Sequence, residues 1–139
     1  MKVFLDANLI FSAAQSGSLS TQFLRTLCGC ATVVTHPSVW HEAERNIRDK
    51  RPEWEGGLQA MASLISLHAG MAHCPAVGLP EKDQPVLGGA ISAGADYLVT
   101  GDRAHFGPLF GQTVQGVTIL SPRMMAEEMQ KQGWVGRGE

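Results

Sequence analysis

The chain is poor in the features that mark specialised classes of protein. Cysteine is scarce and odd in number: Cys28, Cys30 and Cys74 share no repeated spacing, which argues against a disulfide framework, and Cys28-Gly29-Cys30 lacks the two intervening residues of a redox or zinc pair. Buried, reduced thiols are the expected form. Long apolar runs are missing as well. The stretch from Gly56 to Pro80 carries no Asp, Glu, Lys or Arg, but Gln59, His68, His73 and two prolines disqualify it as a membrane span. At the amino terminus, Asp6 interrupts the apolar run too early for the core of a signal peptide. These absences lead us to expect a soluble, cytoplasmic protein with no membrane partner.

An excess of positive charge is also lacking. Eleven Lys and Arg stand against thirteen Asp and Glu, a net charge of −2, so no broad basic field advertises a nucleic-acid partner. A polyanion must be held locally, and a bound divalent cation does that by reversing the sign of an acidic pocket. No internal repeat or low-complexity tract interrupts the chain. With 139 residues, 44% of them hydrophobic, it fits one domain with one core. We place that domain at 1–132 and a flexible tail at 133–139.

What is present is an alternation of strand and helix signals. Val3-Phe4-Leu5 is a compact apolar run, Thr32-Val33-Val34-Thr35 is β-branched throughout, and Tyr97-Leu98-Val99-Thr100 and Val117-Thr118-Ile119-Leu120 read the same way. Between them, helical spacing covers Leu9–Ala14, with Asn8 a plausible N-cap, and Ser20–Leu27. It continues after Pro37, where Val39, Ala43 and Ile47 mark one face, then over Glu53–Leu64, Asp83–Ala93 and Arg123–Gln130. Residues 65–77 are ambiguous, with a short strand expected near Ala72–Cys74. Strands joined by helical crossovers imply a three-layer α/β/α sandwich around a mostly parallel sheet of four to five strands.

In such sheets functional residues gather beyond the carboxyl ends of the strands. Asp6 follows the first strand and Asp102 follows the strand at 97–100. Each also has an ordinary structural use, as a helix cap or a turn residue. Glu42 lies about 60° round the helix from Val39, on the apolar side, while Glu44 points away. Asp83 opens a helix whose amino end meets the same sheet edge, and capping there is compatible with binding a metal. Four acids in one pocket repel one another unless neutralised, and Mg²⁺ or Mn²⁺ with oxygen ligands is the usual remedy. Such an ion polarises a phosphoryl oxygen and activates water, so the constellation predicts phosphodiester hydrolysis.

Four segments carry a resemblance. They are Val3-Phe4-Leu5-Asp6-Ala7-Asn8, Ser38-Val39-Trp40-His41-Glu42, Asp83-Gln84-Pro85-Val86-Leu87, and Ala93-Gly94-Ala95-Asp96-Tyr97-Leu98-Val99-Thr100-Gly101-Asp102. In this order they resemble the PIN-domain family of metal-dependent ribonucleases, which includes the toxins of VapBC-type toxin–antitoxin pairs. The resemblance implies that Asp6, Glu42, Asp83 and Asp102 are the catalytic and metal-binding acids, with Asn8 and Thr100 as polar support. It further implies a PIN-like fold, one or two Mg²⁺ or Mn²⁺ ions, cleavage of single-stranded RNA leaving a 3′-hydroxyl, a homodimer and, for a toxin, an antitoxin protein. Glu81, two residues before Asp83, competes for the third acid position. Asp96 precedes its strand and belongs at the opposite edge from the site.

Arg103 and His105 are candidates to contact the substrate, with a structural loop role favoured for His105. Thr100 and Gly101 read as the strand end that delivers Asp102, with the glycine giving the backbone room. The paired glycines Gly88 and Gly89 suggest close packing in their helix. Two other activities fit an aspartate after the first strand. A haloacid-dehalogenase-like phosphatase wants a second Asp where Asn8 stands. A non-catalytic receiver-like or RNA-binding module wants, in its receiver form, a Lys where the last strand runs into Ser121-Pro122-Arg123.

Overall fold

Val3, Phe4 and Leu5 are buried completely, as a strand covered on both faces requires. The computed structural model describes residues 1–134, so 135–139 of the expected tail lie outside the described residues. In chain order the elements are β1 (Lys2–Leu5), α1 (Ala7–Ala13), α2 (Leu19–Cys30), β2 (Thr32–Thr35), α3 (Pro37–Lys50), α4 (Glu55–Ala62) and β3 (Ser66–Leu67). They continue with α5 (Gln84–Ser92), β4 (Tyr97–Val99), α6 (Arg103–Phe106), β5 (Thr113–Val114), β6 (Val117–Leu120) and α7 (Pro122–Lys131). Short 3₁₀ turns at Pro52–Trp54 and Glu81–Asp83 lead into α4 and α5.

The sheet has the order β3-β2-β1-β4-β6-β5 and is parallel except for β5. Its four principal strands are the expected ones, and two-residue edge strands bring the total to six. β5 joins β6 by a tight hairpin in which Gln115 and Gly116 both adopt positive φ, 47° and 86°, the backbone such a turn demands. Because the chain runs from β1 to β2 on one side and later returns to β4 on the other, the order reverses at β1/β4. That reversal opens a crevice at the carboxyl edge of the sheet.

Helix faces follow the apolar pattern. Val39, Ala43 and Ile47 of α3, Leu24 and Leu27 of α2, Val86, Leu87 and Ala90 of α5, and Met125 and Met129 of α7 are all buried in one core. α2 starts earlier and ends later than its apolar stripe, because Ser18 caps it through Thr21 N–H and three further residues carry it to Cys30. The glycine pair does pack closely. A Cβ on Gly88 would run into the backbone oxygen of Ala72, and one on Gly89 would lie 3.1 Å from the Phe4 ring.

Three expectations are corrected. Ala72–Cys74 forms no strand; the edge strand is at Ser66–Leu67, and the following loop is tied to α5 by Ala72 N–H donating to Gly88 O at 3.1 Å. Asn8 is not the cap of α1. Asp6 is, with extended backbone and its side chain accepting from Ala7 N–H, and Asn8 falls within the first turn. The cysteines are free as expected, but all three are only half-buried. Trp134, within the expected tail, packs edge-on against Tyr97 with ring centroids 6.3 Å apart.

Candidate active site

The carboxyl ends of β1 and β4 are adjacent, and Asp6 N–H donates to Val99 O at 3.1 Å, which locks the two strand ends together. Asp6 is buried, so its carboxylate must find donors. One oxygen accepts from Ala7 N–H at 2.7 Å and the other from the Thr100 hydroxyl at 2.8 Å. Burial pushes its pKa up to about 6, against the pull of those two hydrogen bonds, and the negative charges of Glu42 and Asp83 raise it further.

Thr100 is a junction. Besides donating to Asp6, its hydroxyl accepts from Asp102 N–H at 3.1 Å and contacts the Asn8 amide nitrogen at 3.4 Å. The Asn8 carbonyl in turn accepts from Gly101 N–H at 3.0 Å. A strand end, a turn and the first helical turn of α1 are thus fastened by two side chains, and Asp102 is delivered in a fixed position. Gly101 itself is not needed for room, because an added Cβ would make ordinary contact with Asn8 at 3.6 Å.

Asp102 caps the short α6, accepting from His105 N–H at 3.1 Å, and its other oxygen accepts from the His105 ring Nδ1 at 2.9 Å. The same Nδ1 lies 3.0 Å from Asp83 Oδ2. A carboxylate only accepts, so Nδ1 carries the proton, and its N–H bonds Asp102 while making no hydrogen bond to Asp83. Asp83 Oδ2 is accordingly buried without a hydrogen-bond partner. Asp83 departs from expectation in one respect: it occupies the cap position of α5, yet its side chain makes no capping bond. The 3₁₀ turn before α5 aims it at Asp102 instead. Ligand atoms of Asp83, Asp102 and His105 fall within 4.8 Å of one another.

Asp6, Glu42, Asp83 and Asp102 all line one cleft of about 300 Å³. Glu42 reaches it from the exposed flank of α3. Asn46, Lys50, Lys82 and Phe11 line it too; nothing in the spacing of these residues had singled them out. His105 is placed among the acids. Arg103 lies elsewhere, exposed beside Phe110 and Met124 in a separate depression. Glu81 is exposed and faces the His73–Cys74 loop, and Asp96 sits at the far edge of the sheet, accepting from Lys2 N–H at 2.9 Å.

The donor set suits a hard divalent cation. It is made of carboxylate oxygens, one of them buried without a hydrogen-bond partner, with those of Asp83 and Asp102 brought together from separate elements beside one imidazole. Asp83 and Asp102 would hold such an ion directly, with Asp6 and Glu42 beside them.

The architecture is that of an α/β protein with its acids at the switch point of a mostly parallel sheet. No family model and no curated protein matches the sequence. Among solved structures, a chain of the crystal structure of VapBC2 from Rickettsia felis bound to a DNA fragment from their promoter is similar. The TM-score is 0.64, the match covers 87% of this chain and 98% of that one, and the sequence identity is 16%. At that identity the likeness is one of fold. No helix among the described residues is long and apolar enough to cross a membrane.

Proposed function

We propose that the chain is a metal-dependent ribonuclease that hydrolyses phosphodiester bonds in single-stranded RNA with Mg²⁺ or Mn²⁺, and that it is the toxin of a type II toxin–antitoxin pair. The observation that carries this reading is the meeting of Asp83 and Asp102 around one imidazole N–H, with Asp83 Oδ2 left buried and unpaired. A bound divalent cation there supplies Lewis acidity at a phosphoryl oxygen and neutralises the charge of the acids. The protein supplies the rest. Thr100 and Asn8 fix where Asp6 and Asp102 stand, Asp6 keeps a carboxylate able to exchange a proton near neutral pH, and Glu42 faces the cleft from solvent. Fold likeness to a VapBC2 chain supports the toxin assignment, with an antitoxin protein and a second copy of this chain as proposed partners in the cytoplasm.

The test is cleavage of a labelled single-stranded RNA by the purified chain. Product should appear with Mg²⁺ or Mn²⁺ and vanish in EDTA. Asp6→Asn and Asp102→Asn should each lower the rate by about 10²-fold or more, as expected when a charge acting in the transition state is removed. Undiminished cleavage in both variants sinks the assignment of the site.

A further inference from the structure

The helix that carries Glu42 carries more into the cleft. Its buried stripe is Val39, Ala43 and Ile47, and beside that stripe Glu42, Asn46 and Lys50 recur at the same four-residue spacing, all three lining the cleft. At about 1.5 Å of rise per residue, Lys50 stands about 12 Å along the axis from Glu42. The wall therefore passes from carboxylate through amide to ammonium, away from the acids.

The far end of this wall carries an ammonium, mixed charge beyond it, and aromatic rings. Arg45, Arg48, Lys50 and Arg51 stand here with Asp49, Glu53 and Glu55 among them, and of these cations Lys50 is the one that lines the cleft. All four are exposed, and no Lys or Arg is paired with a carboxylate among the described residues. The Arg51 guanidinium lies 5.5 Å over the Trp54 ring, and Trp54 is tilted at 54° against Phe11 with centroids 5.2 Å apart. Phe11 in turn lines the acid cleft. Basic residues in a last helical turn favour the helix dipole, and aromatic pairs pack cores. Neither accounts for Lys50, Asn46 and Phe11 facing the same cleft as the acids.

We infer that the carboxyl-terminal half of α3, with Phe11 and Trp54, is a subsite for the nucleotides that flank the scissile phosphate in a single-stranded polynucleotide. Lys50 neutralises a phosphate remote from the acids, Asn46 offers a hydrogen bond between, and Phe11, backed by Trp54, offers a face to a base. Cationic grooves interleaved with aromatic rings are how single strands are held without sequence readout. The inference rests on the nuclease reading and extends it from one phosphate to a track.

Binding rather than cleavage tests it. Fluorescence anisotropy of end-labelled oligouridylates of three and nine nucleotides is followed across a salt series, with the full chain in EDTA. For the nonamer, Lys50→Gln should reduce the slope of log affinity against log salt by about 0.7, the loss of one phosphate contact on a single strand. Trp54→Leu should weaken the nonamer roughly fivefold or more with little change of slope. Arg25→Gln, on α2, should change neither, and the trimer should show smaller effects throughout. A Lys50→Gln slope equal to that of the parent overturns the inference, and because Lys50 is exposed, loss of folding cannot stand behind that result. Poly-L-glutamate competing with the same Lys50 dependence, while Trp54→Leu is neutral, also overturns it and marks the ridge as a dock for an acidic protein segment. Failure of the nuclease reading would appear separately, as absence of divalent-dependent cleavage in a chain that still binds the nonamer.

Discussion

Asp6 shows how a single carboxylate is shared between folding and chemistry. It caps α1, is almost wholly buried, and has its pKa raised from 3.8 to about 6 chiefly by desolvation. The sign of the linkage follows. Between those two values the folded state holds the proton more tightly than the unfolded chain, so stability falls as pH rises through that window and stays lower above it. The shift corresponds to a penalty on the order of 3 kcal/mol at pH 7. Asp6→Asn, which keeps an acceptor for Ala7 N–H, should therefore be the more stable protein at neutral pH by about 1–3 kcal/mol while losing activity. Urea unfolding at pH 4 and pH 7.5 checks this, since the difference between parent and variant should shrink on acidification.

Thr100 has the opposite character, because its hydroxyl makes three contacts and carries no charge. Thr100→Val preserves shape but strips the donor from buried Asp6 and the acceptor from Asp102 N–H. We expect a loss of about 1–3 kcal/mol, read as a lower urea midpoint with unchanged slope. The aspartates at 6 and 102 were legible as site candidates because a residue that ends a parallel strand lands at the sheet edge whatever follows. His105 was not. Its place among the acids depends on α6 turning Nδ1 back onto Asp102, a short-range geometry that no periodicity announces.

At the scale of elements, α3 and the glycine-bearing helices carry the lesson. The stripe Val39, Ala43, Ile47 was readable from its spacing, and Glu42 followed as its neighbour on the wheel. Lys50 and Asn46 have the same relation to Ile47 and Ala43, but a polar residue beside an apolar stripe is ordinary until something faces it. What faces them is Phe11, brought there by the packing of α1 on α3. In α4 the adjacent glycines differ sharply. A Cβ on Gly56 meets open space, whereas one on Gly57 collides with the backbone of Ala14. Gly56→Ala should stabilise the protein by about 0.5 kcal/mol through helix propensity and a less flexible unfolded chain. Gly57→Ala should destabilise it by about 1–3 kcal/mol through overpacking. Thermal melts of the two variants, moving in opposite directions, are the check.

For the whole molecule, the proposed metal site would make stability depend on metal. An ion bound by the folded chain alone stabilises it by about 2.7 kcal/mol at a hundred times its dissociation constant. Adding Mg²⁺ should thus raise the melting temperature by several degrees, and Asp83→Asn should abolish that rise while leaving the melt in EDTA close to the parent's. A Mg²⁺ response that survives Asp83→Asn would move the metal away from that residue.

By itself the sequence determined the alternation of strands and helices, the parallel sheet and the candidates at its carboxyl edge, because burial on two faces and helical spacing leave strong marks on residue choice. Only the tertiary structure decided that Asp83 turns from its capping duty to face Asp102, that the one imidazole N–H between them bonds Asp102 and leaves Asp83 without a donor, and that Phe11 and Lys50 share their cleft. Those facts come from β1 and β4 lying side by side and from loops whose direction is set by packing, which no local pattern along the chain encodes.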